Sequence, residues 1–312
     1  MPEAYIAVEQ VSHAYRTQHA LAAVGKAPAA APAGAQRGTE TAGSAIPPQP
    51  LVIALDGVSL EVYRGEFVAV LGANGSGKST LARHLNALLL PDSGRVRVDG
   101  LDTSEAQNVW PVRERVSMVF QNPDNQIVAA VVEEDVAFGP ENVGLPPAEI
   151  RRRVQEALET VGLFALRRRA PSALSGGQKQ RLAIAGALAL NPACLVLDEP
   201  TAMLDPAGRR EVLSTVRSLN REAGVTVVYI THAMDEAALA DRVVVLSRGK
   251  VALTGSPRAV LTRPEQLRPL GLEPPPGAVA ADRLRRAGLR LPPDILTLEE
   301  LVDALCRLKS SR

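Results

Sequence analysis

Cysteine is nearly absent: only Cys194 and Cys306 occur in 312 residues. Two are too few for a disulfide scaffold, and Cys194 sits in an apolar run, so a reducing, cytosolic setting is expected. Aromatic residues are also scarce, 3% of the chain with a single tryptophan, so the placement of any one ring carries information. Neither sign of charge dominates. Lys plus Arg number 35 and Asp plus Glu 34, a net charge of +1 that gives no global pull toward nucleic acid or anionic lipid. No apolar run approaches the ~18 residues that a membrane span needs. The start, Met1-Pro2-Glu3-Ala4, lacks the basic and apolar stretches of a signal peptide. Work at a membrane would therefore pass through a partner. What remains is ordinary for a globular chain, 46% hydrophobic and 22% charged, with enough residues for a sizeable core.

Short apolar runs alternate with helical patterns. Residues 5–11 read as a strand, 51–62 as one or two more, and Phe67-Val68-Ala69-Val70-Leu71 as a buried strand ending in glycines. Helical periodicity runs from Lys78 to Leu90, where Pro91 stops it. Strands are expected at 116–120, 194–197 and 226–230, and a strand pair at 243–246 and 250–253 around Ser247-Arg248-Gly249. Helices are expected at 176–190 and 206–222, with a mostly helical stretch at 131–166 broken near Gly144. Such alternation implies a largely parallel sheet covered on both faces. From 20 to 50 the chain turns to Ala, Pro, Gly and Gln, a low-complexity insertion with too few bulky apolar residues to pack. After Ser256 it becomes Pro-rich and ends in two short helical patterns, at 278–287 and 298–308.

Gly72-Ala73-Asn74-Gly75-Ser76-Gly77-Lys78-Ser79 fits the spacing G-x-x-x-x-G-K-[ST] between a strand and a helix, followed by Thr80. Glycines there let backbone N–H groups close around phosphate oxygens, and the helix N-terminus adds its positive dipole. Lys78 can reach the outer phosphates, and the Ser79 hydroxyl can take a Mg²⁺ coordination position. Asp198-Glu199 ends the second apolar run, where one carboxylate can hold Mg²⁺ and the other can orient or deprotonate water. Leu174-Ser175-Gly176-Gly177-Gln178 precedes a helix, with Ser175 as N-cap. Taken singly, that segment is a capped helix start. Gln121 and His232 each follow a strand, where a structural role suffices, and Tyr15 reads as a half-buried aromatic.

Taken in order, these residues resemble the ATP-binding cassette (ABC) ATPase family, over nearly everything from Ile6 to Gly255 except the insertion. The resemblance implies an ATP hydrolase with a RecA-like parallel sheet, an antiparallel β subdomain, a helical signature subdomain at about 122–176 and a small C-terminal extension at 256–312. Residues 1–255 would form the nucleotide-binding domain. It implies that Tyr15 stacks on adenine and that Gly72 to Thr80 bind the phosphates. Ser79, Gln121 and Asp198 would hold Mg²⁺. Glu199 would be the base, assisted by Lys78, Gln121 and His232. Leu174 to Gln178 would be the signature that caps the ATP of a second subunit, and Leu204-Asp205 the D-loop.

A finer resemblance is to the ATPase subunits of energy-coupling factor transporters, bacterial vitamin and metal-ion importers, and within them to the first of two paralogous ATPases. It rests on Gln121-Asn122-Pro123-Asp124-Asn125-Gln126-Ile127-Val128, on the segment from Glu133 to Asn142, and on Pro200-Thr201-Ala202-Met203-Leu204-Asp205-Pro206. It implies a second ABC ATPase as partner, a transmembrane coupling subunit, a substrate-binding membrane subunit and a peripheral place on the cytoplasmic face of the bacterial membrane. A conventional ABC importer ATPase shares the catalytic residues and stands as the alternative. A soluble, non-transport ABC protein is disfavoured by one P-loop, one signature and near-neutral charge, which also count against nucleic acid.

Overall fold

The chain is described here by a computed structural model covering residues 3–16 and 51–310; the insertion expected at 20–50 lies outside the described residues. Alternating apolar residues from Ile6 start β1 (Ile6–Arg16), which pairs antiparallel with β2 (Leu51–Val62). Strand β1 runs five residues beyond the expected end at Val11, although His13 to Arg16 carry no apolar alternation. Pairing with β2 holds them, through register shifts that begin after Val8. A second hairpin, β4 (Ser93–Val98) and β5 (Leu101–Asp102), completes a sheet of order β2-β1-β4-β5.

The sequence reading assigns no element between Pro91 and Val116. The structure places β4, β5 and the helix α2 (Val109–Arg115) there. A signal was present: Asp99 and Gly100 sit at φ 50° and 78°, the two left-handed positions of a tight hairpin turn.

The second sheet holds β3 (Phe67–Leu71), β6 (Val116–Val119), β7 (Cys194–Asp198), β8 (Thr226–Ile230), β9 (Arg242–Ser247) and β10 (Lys250–Gly255), in the order β10-β9-β3-β8-β7-β6. Neighbours from β9 to β6 run parallel, and β10 is an antiparallel edge. Every residue of β3, β7 and β8 is buried, as a parallel sheet covered on both faces requires. The two-residue period divides the sheet between two cores. Phe67, Ala69, Leu71, Leu195, Leu197 and Tyr229 face α3 (Val132–Asn142), α4 (Pro147–Thr160), α5 (Gly176–Leu188) and α6 (Pro206–Arg221). Val68, Val70, Val196, Val228 and Ile230 face α1 (Lys78–Leu85) and the antiparallel sheet.

Helix α1 ends at Leu85, not at the expected Leu90. Asn86 closes it, Ala87 turns left-handed at φ 55°, and the Asn86 side chain accepts the Leu88 N–H at 3.3 Å. Helices α3 and α4 lie within the span expected to be helical. After β8 comes the short α7 (Met234–Ala237).

Beyond β10 the chain forms α8 (Pro257–Leu261), α9 (Pro264–Leu267), α10 (Pro276–Arg286) and α11 (Leu298–Ser310). Val260, Leu261 and Leu267 join the helix-side core, whereas Ala281, Leu291, Ile295 and Leu301 form a small core of their own. The Arg258 guanidinium ties α8 to α11 by binding both Glu300 oxygens and the Asp294 carbonyl. Arg258 first, with the Leu296 and Thr297 N–H groups behind it, holds the Glu300 carboxyl down at about 2 against an ordinary 4.5. A depressed carboxylate contributes stability above its unfolded value and loses it as pH falls toward the folded one. Docking of α11 is therefore expected to weaken between about pH 4.5 and 2. Hydrogen exchange of the α11 amides checks this: Arg258→Ala should start less protected and lose less across that window.

Candidate active site

The parallel strands end together, and the loops leaving those ends carry the chemistry. Strand β3 runs directly into Gly72, where a Cβ would stand 2.3 Å from Ser76 Oγ and 2.5 Å from the Leu246 carbonyl. Gly77 has φ 104°, and a Cβ there would meet the Ala54 carbonyl at 2.3 Å, so neither position admits a side chain without the loop moving. Helix α1 begins at Gly77 with no side-chain cap. Its first N–H groups are thus left for an outside acceptor, and the Ser76 hydroxyl is buried without a hydrogen-bond partner. This cradle suits a phosphate chain.

Lys78 is 5% exposed and folds back on its own loop, its Nζ donating to the Gly72 carbonyl at 2.9 Å and the Ala73 carbonyl at 3.1 Å. Burial pushes its pKa below the ordinary lysine value, against the pull of Glu199 and Asp198. The Ser79 hydroxyl donates to Asp198 Oδ1 at 3.0 Å. Burial raises the Asp198 pKa, and the Ser79 bond opposes that rise. A hydroxyl and a carboxylate brought this close are the hard oxygen donors that Mg²⁺ takes beside phosphate and water.

Glu199 is where the loops converge. Its carboxylate lies 3.7 Å from Lys78 Nζ, accepts from Gln121 Nε2 at 3.3 Å and stands 3.6 Å from His232 Nδ1. Its backbone is left-handed, φ 48°, an uncommon conformation for a residue with a Cβ and one often found at functional sites. Backbone pairing holds it there, since its N–H donates to the Ile230 carbonyl at 3.0 Å. Gln121 and His232 are exposed, so water has access to the same edge. Tyr15 lies half-buried at the margin, its hydroxyl 3.3 Å from Thr80 Oγ1 and its ring packed edge-on with His13.

The second group stands apart. Ser175 and Gln178 form a reciprocal capping box at the start of α5, the Ser175 N–H donating to Gln178 Oε1 at 2.9 Å and the Gln178 N–H to Ser175 Oγ at 3.3 Å. Leu174 is buried beneath it, while Ser175 and Gly176 face solvent. Gly176 approaches Leu204, and Gly177 packs backbone to backbone on Gly208, the residue whose N–H is held by the Asp205 carboxylate at 2.9 Å. The structure thus brings Leu174 to Gln178 against Leu204 and Asp205, and Lys78, Ser79, Gln121, Asp198, Glu199 and His232 against one another. Among the described residues no hydrogen bond or ion pair joins the two groups.

One buried group escaped the sequence reading. Glu236, 1% exposed, gathers Thr201, Thr231 and Arg209 behind the site. A lone Glu in a short polar helix start carries no pattern from which this could be read.

Comparison with known proteins agrees with the geometry. The sequence profile of the ABC transporter family matches residues 55–202. The energy-coupling factor transporter ATP-binding protein EcfA1 of Symbiobacterium thermophilum is 69% identical over 261 residues, covering 84% of this chain and 91% of the relative. The cobalt import ATP-binding protein CbiO of Syntrophus aciditrophicus is 50% identical over 256 residues, 82% and 91% of the two chains. The solved structure of cbiO1 from Clostridium perfringens, described as part of the ABC transporter complex cbiONQ, superposes with a TM-score of 0.68 at 33% identity, covering 92% of this chain and 99% of that one.

Proposed function

The chain belongs to the ABC transporter family, as an ATPase subunit of the energy-coupling factor type, and on that premise we propose how its residues hydrolyse ATP and with whom. It binds and hydrolyses ATP, and it energises uptake of vitamins or metal ions, in keeping with relatives named as energy-coupling factor transporter and cobalt import ATP-binding proteins. The observation that carries the residue assignments is the meeting of Lys78, Gln121 and His232 on the Glu199 carboxylate beside an uncapped, glycine-lined helix start.

In this reading the loop from Gly72 to Thr80 wraps the phosphates, and Lys78 exchanges its bonds to Gly72 and Ala73 for the outer phosphate oxygens. Tyr15 packs on the adenine. Mg²⁺, held by Ser79 and Asp198 with Gln121 nearby, would neutralise charge on the outer phosphates. Glu199 orients the attacking water and accepts its proton, and His232 faces the terminal phosphate. Phosphoryl transfer to water needs positioning and charge neutralisation above all, and these groups supply both.

Two features support partners. Ser175 and Gly176 lie exposed at the start of α5, with no hydrogen bond or ion pair to the P-loop group of the same chain, which fits a cap over the ATP of a second ATPase. Among the described residues no helix is long and apolar enough to cross a membrane. In this reading the transmembrane and substrate-binding subunits are separate chains, met from the membrane's cytoplasmic face, and the likeness to a chain described as part of the cbiONQ complex supports it. The docking surface lies between Asn122 and Glu141. Val128 is 63% exposed and Phe138 50%, and both offer apolar area to an inserted helix. Val132, at the end of the same apolar run, is fully buried in the core and adds nothing to that surface. The test is reconstitution of the chain with membrane components, with and without a paralogous ATPase. Uptake is expected only with both ATPases, and Val128→Asp should abolish it while sparing ATP binding to the isolated chain. Full uptake with this chain as the only ATPase overturns the heterodimer, and wild-type uptake by the variant overturns the docking surface.

A further inference from the structure

We propose that Glu236 is a positioning residue: it locks the loop carrying His232 to the helix behind the D-loop, and through that helix to the signature glycines. The proposal rests on the hydrolase reading above. It starts from a buried carboxylate whose partners each belong to a different functional segment. Glu236 Oε1 accepts from the Thr201 hydroxyl at 2.6 Å and pairs with Arg209 Nε at 2.6 Å, and Oε2 accepts from the Thr231 hydroxyl. Thr201 follows Asp198-Glu199-Pro200. Thr231 immediately precedes His232. Arg209 immediately follows Gly208, whose backbone packs on Gly177.

The local geometry makes this a clamp. The Thr231 hydroxyl donates to Glu236 and accepts the Ala233 N–H at 3.0 Å, so the residues on both sides of His232 are fixed by one side chain. Arg209 holds the same short helix a second time, donating to both Asp235 oxygens at 2.8 and 2.9 Å. A displacement of His232 toward or away from a phosphate is thereby carried to Arg209 and the first turn of α6. Movement of that turn shifts Gly208 against Gly177, which lie so close that a Cβ on Gly177 would stand 3.0 Å from the Gly208 Cα. One carboxylate thus links the loop that faces this chain's own phosphate to the segment that faces another.

Stability alone is a weak reason for such a group. A buried ion pair generally contributes no more than apolar residues of the same volume, whereas removing one partner strands the other's charge. That asymmetry supplies the test, made on the assembled transporter by measuring kcat, the KM for ATP and the thermal midpoint. Glu236→Gln is expected to lower kcat about tenfold or more with KM within about twofold, the signature of misplaced rather than missing groups. Thr231→Val, which removes one neutral hydroxyl, should lower kcat in the same way at a wild-type midpoint. In the double variant Glu236→Met with Arg209→Met the stranded charge is gone, so the midpoint should return while kcat stays low. Recovery of kcat together with the midpoint overturns the proposal, as does wild-type kcat in Glu236→Gln or Thr231→Val. Loss of kcat in Thr231→Val supports it even where the double variant is unstable. Glu199→Gln in the same assay separates the two levels: if that variant loses no hydrolysis at this chain's site, the hydrolase assignment fails, whatever the Glu236 variants do.

Discussion

Glu199→Gln is expected to cut ATP hydrolysis at this chain's site in the purified ATPase pair about 10²- to 10⁴-fold, the usual worth of a positioned general base, while ATP binding persists. The substitution keeps volume and shape, so the hydrogen-bonded loops should stay where they are. Gln121 Nε2 and Lys78 Nζ face different oxygens of the native carboxylate, at 3.3 and 3.7 Å, so the single amide oxygen of Gln keeps one of these contacts and gives up the other. What disappears is the group able to take a proton from water. A negative charge opposite the terminal phosphate disappears too, so binding is not weakened and ATP-bound dimers should accumulate. The left-handed backbone at φ 48° is as available to Gln as to Glu, so the thermal midpoint should hardly change. Single-turnover phosphate release, with size-exclusion chromatography in ATP, reads both consequences. Hydrolysis near the wild-type rate would mean that another group takes the proton.

The fold was legible in the sequence where burial is complete. Strand β8 runs over Thr226–Ile230, the bounds read from its apolar run, because a short strand buried on both faces carries no charged residue to blur its ends. Strand β1 was read short, because its second half is held by pairing with β2 across register shifts and not by its own pattern. The end of α1 was missed for a local reason: Pro91 is the visible stop, yet Asn86 and the left-handed Ala87 end the helix first. Strand β4 buries only Val96 and Val98, too few for a pattern, so the Asp99-Gly100 turn was the better clue.

The candidate site divides along the same line. The glycine-lysine loop carries its own spacing, and Gly72 and Gly77 have a visible steric reason. Gln121 and His232 carry none. They stand out only through resemblance, and the structure supplies the physical reason: each lies two residues past the C-terminal end of a parallel strand, β6 and β8, on the edge where β3 delivers the P-loop. Residues more than 100 apart in sequence meet there because the sheet order interleaves them. Glu236 is the extreme case, since its partners come from three segments that only the tertiary fold brings together.

Lys78→Ala is expected to weaken MgATP binding about 10²- to 10⁴-fold, the loss of two charge-assisted bonds worth about 1.5–3 kcal/mol each. Lys78 donates to two loop carbonyls and faces Glu199. Its removal leaves those groups unpaired but also removes a buried charge, so the two effects on folding oppose each other and the binding loss should dominate. The pH dependence is specific to this residue. Burial lowers the Lys78 pKa from 10.5 in the free chain, and phosphate oxygens at the ammonium would raise it again. A group whose pKa rises on binding takes up a proton as the ligand binds, so affinity falls as pH climbs through the free-chain value. Wild-type affinity should therefore decline on an alkaline limb that begins below 10.5, and Lys78→Ala should bind weakly with no such limb. Titration calorimetry across that range, in two buffers of different ionisation heat, measures affinity and proton uptake together. Undiminished binding by Lys78→Ala would remove Lys78 from the phosphate site, and an alkaline limb that survives in that variant would assign the proton to another group.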